Sequence, residues 1–167
     1  MPKSHESDAV FAEIGRITVR WAELEDALGL LVVTLLNDYQ RYTRIVATEL
    51  GYRSMIDLCT SLYLERHGED EDYGTLKELI RRIEQAAGTR NSIVHSTWQS
   101  AGTPSKVTRV KSTAKRRGYS TTVQNYDTDS FRRISDSIVG VTNDLVAFAS
   151  SLIVRGKGFN NPVHENG

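Results

Sequence analysis

Arg90, Asn91 and His95 stand within six positions of one another in the stretch TRNSIVHSTW, residues 89–98. Their chemistry is complementary. Histidine has an unperturbed pKa of about 6.5, so it both takes and gives a proton near neutrality. Arginine is permanently charged, and its two-pronged donor set matches phosphate oxygens. An asparagine amide can orient a hydroxyl or an imidazole. Together the three suffice for metal-free cleavage of RNA. The imidazole takes the proton of a 2′-OH, the freed oxygen attacks the adjacent phosphorus, and the guanidinium stabilises charge building on the phosphoryl oxygens.

Spacing constrains how these groups could meet. On a helix, Asn91 and His95 lie four apart and share a face. Arg90 and His95 point about 140° apart. They share a site only through the reach of Arg, or when two copies of the helix face each other. Ile93 and Val94 point at least partly inward and anchor the segment. Each residue also has a plainer role open to it: a surface histidine, a helix-end counterion, a cap.

The surrounding charge is distributed unevenly. The chain has 167 residues and a formal net charge of zero. Residues 1–84 hold 16 acidic and 10 basic side chains, whereas residues 85–126 hold seven Lys or Arg and no acid. The basic block starts just before RNSIVH and ends about thirty residues after it. Lys106, Arg109, Lys111, Lys115, Arg116 and Arg117 are its candidates for holding an RNA backbone electrostatically. A solvated basic hairpin is the plainer alternative.

The elements that would position this site read as helical. Ile14, Ile17, Trp21, Leu24, Leu28, Leu31 and Leu35 mark a heptad seam over a long helix at 8–37. Residues 41–50 and 52–68 form two further helices broken near Gly51, followed by the acidic connector GEDEDYG. Leu76, Leu79, Ile80, Ile83 and Ala87 mark a fourth helix, which either runs through Gly88 into RNSIVH or restarts there with Thr89 as N-cap. Residues 103–124 alternate β-branched and polar residues around a KRRG turn, predicting a short basic β-hairpin or ordered loop. A second seam, Phe131, Ile134, Ile138, Val141, Leu145, Phe148 and Leu152, follows a DTDSF cap.

The expected architecture is all-α: an up-down helical bundle of about four to five helices with a basic insert before the last long helix. A single domain at 1–155 and a flexible tail at 156–167 are expected. The seams could equally pack across a symmetric dimer. The lone cysteine, Cys59, excludes an internal disulfide and a Cys-based zinc site within one chain, and suits a reducing, cytoplasmic setting. No signal-peptide pattern opens the chain, and the run LGLLVVTLL at 28–36 is too short to span a bilayer, so no membrane association is expected. HExxH, CxxC, P-loop and GxGxxG patterns are absent, and the acidic run 69–72 reads as a solvated loop rather than a metal site. No cofactor is expected. His5, His67 and His164 lie in terminal or connector segments and receive no role.

RNSIVH within a helical chain of this length resembles the HEPN superfamily. Its signature is Arg, four to six residues, then His, often with Asn, Asp or His directly after the Arg. Arg90, Asn91 and His95 match at the shortest spacing. The resemblance implies a dimeric helical domain acting as a metal-independent endoribonuclease, with the motifs of two protomers meeting in one composite cleft. It spans roughly 8–155 as a fold, but 90–95 alone at motif level. A toxin subgroup carries Tyr two positions after the His. Thr97 stands there in this chain, so control by antitoxin modification of that residue does not carry over. The insert at 103–124 matches no general family feature.

Three readings follow. The first is a ribonuclease acting on RNA, in a stress-response, toxin or phage-defence setting, with an antitoxin or other regulatory protein as a further partner. The second is a catalytically silent module of the same family that binds nucleotide, RNA or a protein. The third is a structural dimer with RNSIVH as a polar clasp between helices, which has no need of Arg, Asn and His in that order.

Overall fold

The structure, a computed structural model, describes residues 4–36, 41–100, 106–115 and 118–157. Among them the chain is mostly helical, with α1 (Ser4–Leu36), α2 (Arg41–Glu49), α3 (Tyr52–His67), α4 (Glu71–Val94) and α5 (Thr128–Val154). Three strands, β1 (Thr97–Ser100), β2 (Lys106–Lys115) and β3 (Gly118–Asp127), lie between α4 and α5 in an antiparallel sheet of order β1-β2-β3. The expected hairpin is therefore the outer part of a three-stranded meander, and the chain is not purely α. The missed strand, TWQS, is too short for alternation to announce it.

The chain divides into two compact units, Met1–Trp21 with Gln85–Ile138, and Ala22–Glu84 with Val139–Gly167. In the first, the core comprises Val10, Ile17 and Trp21 of α1, Ala86, Ala87 and Ile93 of α4, Val107 of β2, and Phe131 and Ile138 of α5. Trp98, Tyr126 and Phe131 close it as an aromatic trio, with ring centroids 5.2–5.5 Å apart. Two seam positions differ from the expected pattern. Glu13 (4 % exposed) is buried beside the half-buried Ile14, and Ser135 (3 %) beside the half-buried Ile134. A helical turn of 3.6 residues drifts off a strict heptad, so the neighbour of the expected residue takes the inward position.

In the second unit, Leu24, Leu28, Leu31 and Leu35 of α1 are all at most 1 % exposed, and Met55, Ile56, Cys59 and Tyr63 of α3 are buried too. Leu76, Leu79 and Ile83 of α4 and Val141, Leu145, Phe148 and Leu152 of α5 complete that core. α5 is, among the described residues, the one helix long and apolar enough by length and composition to cross a membrane, yet its apolar stripe is buried.

The acidic connector is solvated only in part: Glu69 and Glu71 are exposed, whereas Asp70 and Asp72 are half-buried and paired. α4 begins inside it, at Glu71, and Asp70 caps that helix by accepting from the Tyr73 N–H (3.1 Å). Asp70 also accepts from the Tyr63 hydroxyl (2.7 Å) and pairs with Lys157 at 2.5 Å. Asp72 pairs with Arg155 (2.8 Å) and Lys157 (2.7 Å). Lys157 reaches both carboxylates because Gly156 ends α5 at φ 69°, a left-handed conformation that favours glycine. The Lys157 N–H then donates to the Leu152 carbonyl (2.8 Å), closing the helix end. Residues 156–157 are thus held in place rather than part of a loose tail. The rest of the expected tail, 158–167, lies outside the described residues. His67 is engaged as well, with Nε2 3.0 Å from the Lys157 carbonyl oxygen.

Candidate functional site

The RNSIVH segment lies at the end of α4, which runs without a break through Gly88. Thr89 is no N-cap: its hydroxyl donates back to the Gln85 carbonyl (3.0 Å), as a Thr inside a helix does. Helical bonding persists to the His95 N–H, which donates to the Asn91 carbonyl (3.1 Å), although α4 itself ends at Val94. Ile93, 1 % exposed, pins the last turn into the core. His95 occupies the turn that reverses the chain into β1, and it is exposed.

Two contacts fasten that turn. The Trp98 indole N–H donates to the Ile93 carbonyl (3.0 Å), satisfying a helix-end acceptor that has no partner within the helix. The Ser96 hydroxyl donates to the Ser92 carbonyl. Trp98 itself is clamped edge-on against Tyr126 and tilted against Phe131. The sheet and the start of α5 therefore fix where the chain turns, and the turn sets where His95 emerges.

Arg90 and Asn91 are half-buried neighbours. An Arg90 Nη donates to the Asn91 Oδ1 (3.0 Å), and the Arg90 Nε is buried with no hydrogen-bond partner among the described residues. Asn91 thus spends its acceptor on the guanidinium rather than on the imidazole four residues later. The bond holds the guanidinium by one edge. A buried donor without a partner is costly, and the Arg109 Nε shares that condition.

Lys106, Arg109 and Lys111 do not share one surface. In the β2–β3 register Lys106 faces Asp127, Arg109 faces Gln124, and Lys111 faces Thr122. Side chains alternate across a strand, so Lys106 lies on one face of the sheet and Arg109 and Lys111 on the other. Lys106 is exposed and Lys111 half-buried. Arg109 corrects the expectation of a phosphate grip. It is 8 % exposed, its guanidinium donates to the Tyr126 hydroxyl (3.2 Å) and lies 5.9 Å from that ring's centroid. Its stem shares the inward sheet face with Val107, whose burial draws that face onto the core. Lys115 ends β2, while Arg116 and Arg117 lie outside the described residues.

Glu13 is a buried charge that the seam reading did not single out. Its Oε2 has no hydrogen-bond partner among the described residues, and the carboxylate lies 3.8 Å from Arg16 and 3.7 Å from Arg132. The signal was available: Glu13 falls one position from Ile14 on the inward phase of α1. Among the described residues no three His, Cys, Asp or Glu side chains are grouped so that they could hold a metal ion. No protein-family model, curated protein or solved structure matches the chain.

Proposed function

We propose that this protein is a metal-independent endoribonuclease of the HEPN type, a helical bundle in which the RNSIVH segments of two protomers form one cleft. The observation that carries the reading is the disposition of Arg90 and His95. Arg90 is held by Asn91 with its Nε left unpaired, and His95 emerges exposed one turn later. In this mechanism His95 takes the 2′-OH proton and the oxygen attacks the adjacent phosphorus. The 5′-oxygen leaves with a proton, and a 2′,3′-cyclic phosphate remains. Arg90 stabilises the charge on the phosphoryl oxygens, and the second His of the composite cleft is available as the acid. Residues 85–126, free of acids, give the anionic substrate a favourable approach.

A second reading is a catalytically silent module that binds RNA or nucleotide. The bond from Arg90 to Asn91 favours it, because Asn91 then orients the guanidinium and not the imidazole that would do the proton transfer. One experiment separates the two. Wild type and His95→Ala are incubated with labelled single-stranded RNA in EDTA and the product ends are read. Cleavage by wild type alone, leaving 2′,3′-cyclic phosphate, is the expected result. RNA bound but uncut by both proteins supports the silent module.

A further inference from the structure

The β2–β3 ribbon carries a strand that looks unfinished. β3 is ten residues long and, among the described residues, has β2 as its sole sheet neighbour. Alternate residues of such an edge strand turn their N–H and C=O groups away from the sheet. Gly118 to Asn125 are exposed throughout. Folded proteins usually protect a long edge with lysine, proline or an inward charge. From Gly118 to Tyr126 this strand, GYSTTVQNY, has none of these. It is instead rich in Tyr, Thr and Val, the residues that favour strands.

Two large apolar side chains on the strand are bare: Tyr119, 73 % exposed, and Val123, 61 % exposed. They are two of β3's odd-numbered residues and so lie on one sheet face, with Thr121 midway between them. The Tyr119 hydroxyl, 2.9 Å from the Ser112 hydroxyl, keeps its ring on that face. A two-stranded ribbon with so exposed an edge strand is marginal by itself in water, so a partner that covers it gains stability.

We infer that β3 pairs antiparallel with β3 of a second copy of this chain, about a two-fold axis through Thr121 and normal to the sheet, to give one continuous six-stranded sheet. Symmetry and register support that occupant. In an antiparallel pair, residues opposite each other have the same orientation, so a two-fold between identical strands must pass through a residue facing itself. With Thr121 on the axis, Tyr119 stands opposite Val123 of the partner subunit, and Val123 opposite the partner's Tyr119. Each bare side chain then gains an aromatic–β-branched cross-strand pair. No other register places these two side chains opposite each other. Gly118 through Gln124 of each copy take part, and the segment carries no charge that a symmetric pairing would set against itself.

This inference does not rest on the ribonuclease reading, since such a dimer forms whether or not RNSIVH cuts RNA. The test is oligomeric state by sedimentation, with Thr121→Lys and Thr121→Cys variants. Thr121 is exposed, so neither change disturbs a core. Wild type is expected to sediment as a dimer, or as a larger assembly if the RNSIVH cleft supplies a second interface. Thr121→Lys, which sets two ammonium groups face to face on the axis, is expected to sediment as a species smaller than wild type at the same concentration. Cα atoms facing each other across an antiparallel pair lie about 4.5–5.5 Å apart, within disulfide reach. Oxidised Thr121→Cys should therefore run as a covalent dimer. Gln124→Cys, which in this register faces a glycine, should not. Cys59, 1 % exposed, does not compete. A monomeric wild type overturns the inference. So does a dimer that tolerates Thr121→Lys and in which the Thr121→Cys variant stays uncrosslinked, which places the interface elsewhere. A monomer whose RNA affinity falls with Tyr119→Ala also overturns it, making the ribbon a stacking platform for RNA.

Discussion

The Trp98 indole N–H donates to the Ile93 carbonyl at 3.0 Å, and these two residues bracket His95. The bond closes the last turn of α4 with a side chain anchored in the aromatic trio. Trp98→Phe keeps a ring against Tyr126 and Phe131 but leaves the Ile93 carbonyl without its donor, and is expected to cost about 1 kcal/mol. Trp98→Ala opens a cavity beside Phe131 as well and is expected to cost about 3 kcal/mol. Urea unfolding followed by far-UV circular dichroism reads both. If the two variants are equally stable, the trio is not what holds the turn.

For the proposed reaction, His95→Ala should abolish cleavage with the fold unchanged, because His95 is exposed. Arg90→Ala should lower kcat by about 10²–10³-fold, the usual cost of removing a charge-stabilising donor. Asn91→Ala frees the guanidinium from the bond at 3.0 Å and should cost less than Arg90→Ala. Single-turnover rates on one RNA order the three. An Asn91→Ala variant as inactive as His95→Ala would assign Asn91 to the proton transfer instead.

Stability toward acid should depend on Lys157. The Lys157 ammonium, the Tyr63 hydroxyl and the Tyr73 N–H hold the Asp70 carboxyl at about 2, against the opposing effect of burial. Lys157, then Arg155, holds Asp72 low as well. Because both carboxyls titrate lower in the folded chain, their contribution is full above the ordinary aspartate range, near pKa 3.9. It fades as pH falls from about 5 toward about 2. The ammonium, raised by the same two carboxylates, contributes below the usual lysine range and loses that contribution only in strong alkali. Thermal midpoints between pH 2 and 6 should fall less steeply in Lys157→Met than in wild type. Parallel profiles would show the pairs to be indifferent to folding.

Cys59 should be unreactive in the native protein. Burial alone pushes its thiol up to about 12, and it is 1 % exposed. At pH 8 the thiolate needed for alkylation is scarce and inaccessible. Iodoacetamide labelling is expected to proceed only as denaturant unfolds the chain. Rapid native labelling would show that this part of the second unit opens locally.

The basic run 115–117 gives a separable prediction. Replacing Lys115, Arg116 and Arg117 together with alanine should weaken RNA binding. It should lower the slope of log affinity against log salt by about 2, if all three neutralise single-strand phosphates. Arg109→Ala should instead lower stability, since its guanidinium is buried against Tyr126. A salt slope unmoved by the triple change rules these three residues out as an RNA grip.

The helices were legible because apolar residues at three- and four-residue steps leave few other ways to bury a stripe. Leu24, Leu28, Leu31 and Leu35 in α1, and Val141, Leu145 and Leu152 in α5, are buried as that pattern requires. Asp127 caps α5 as a D-x-x-S pattern suggests, accepting from the Ser130 N–H (2.7 Å). The extent of the acidic connector was not legible. Asp70 and Asp72 within it find partners in Arg155 and Lys157, more than eighty residues away in the chain.

The sequence by itself determined what depends on local spacing: helix phases, the break at Gly51, the run of alternating residues in the insert, and the order Arg90, Asn91, His95. The tertiary structure alone decided which charges are free. Arg109 and Lys106 look equivalent as basic residues of one strand, yet the pleat sends Arg109 to the face that Val107 draws into the core and leaves Lys106 exposed. In the same way Asn91 could serve either neighbour by spacing, and Arg90, one residue away, takes its oxygen. Local pattern sets where a side chain starts, and which groups converge depends on packing among residues distant in sequence.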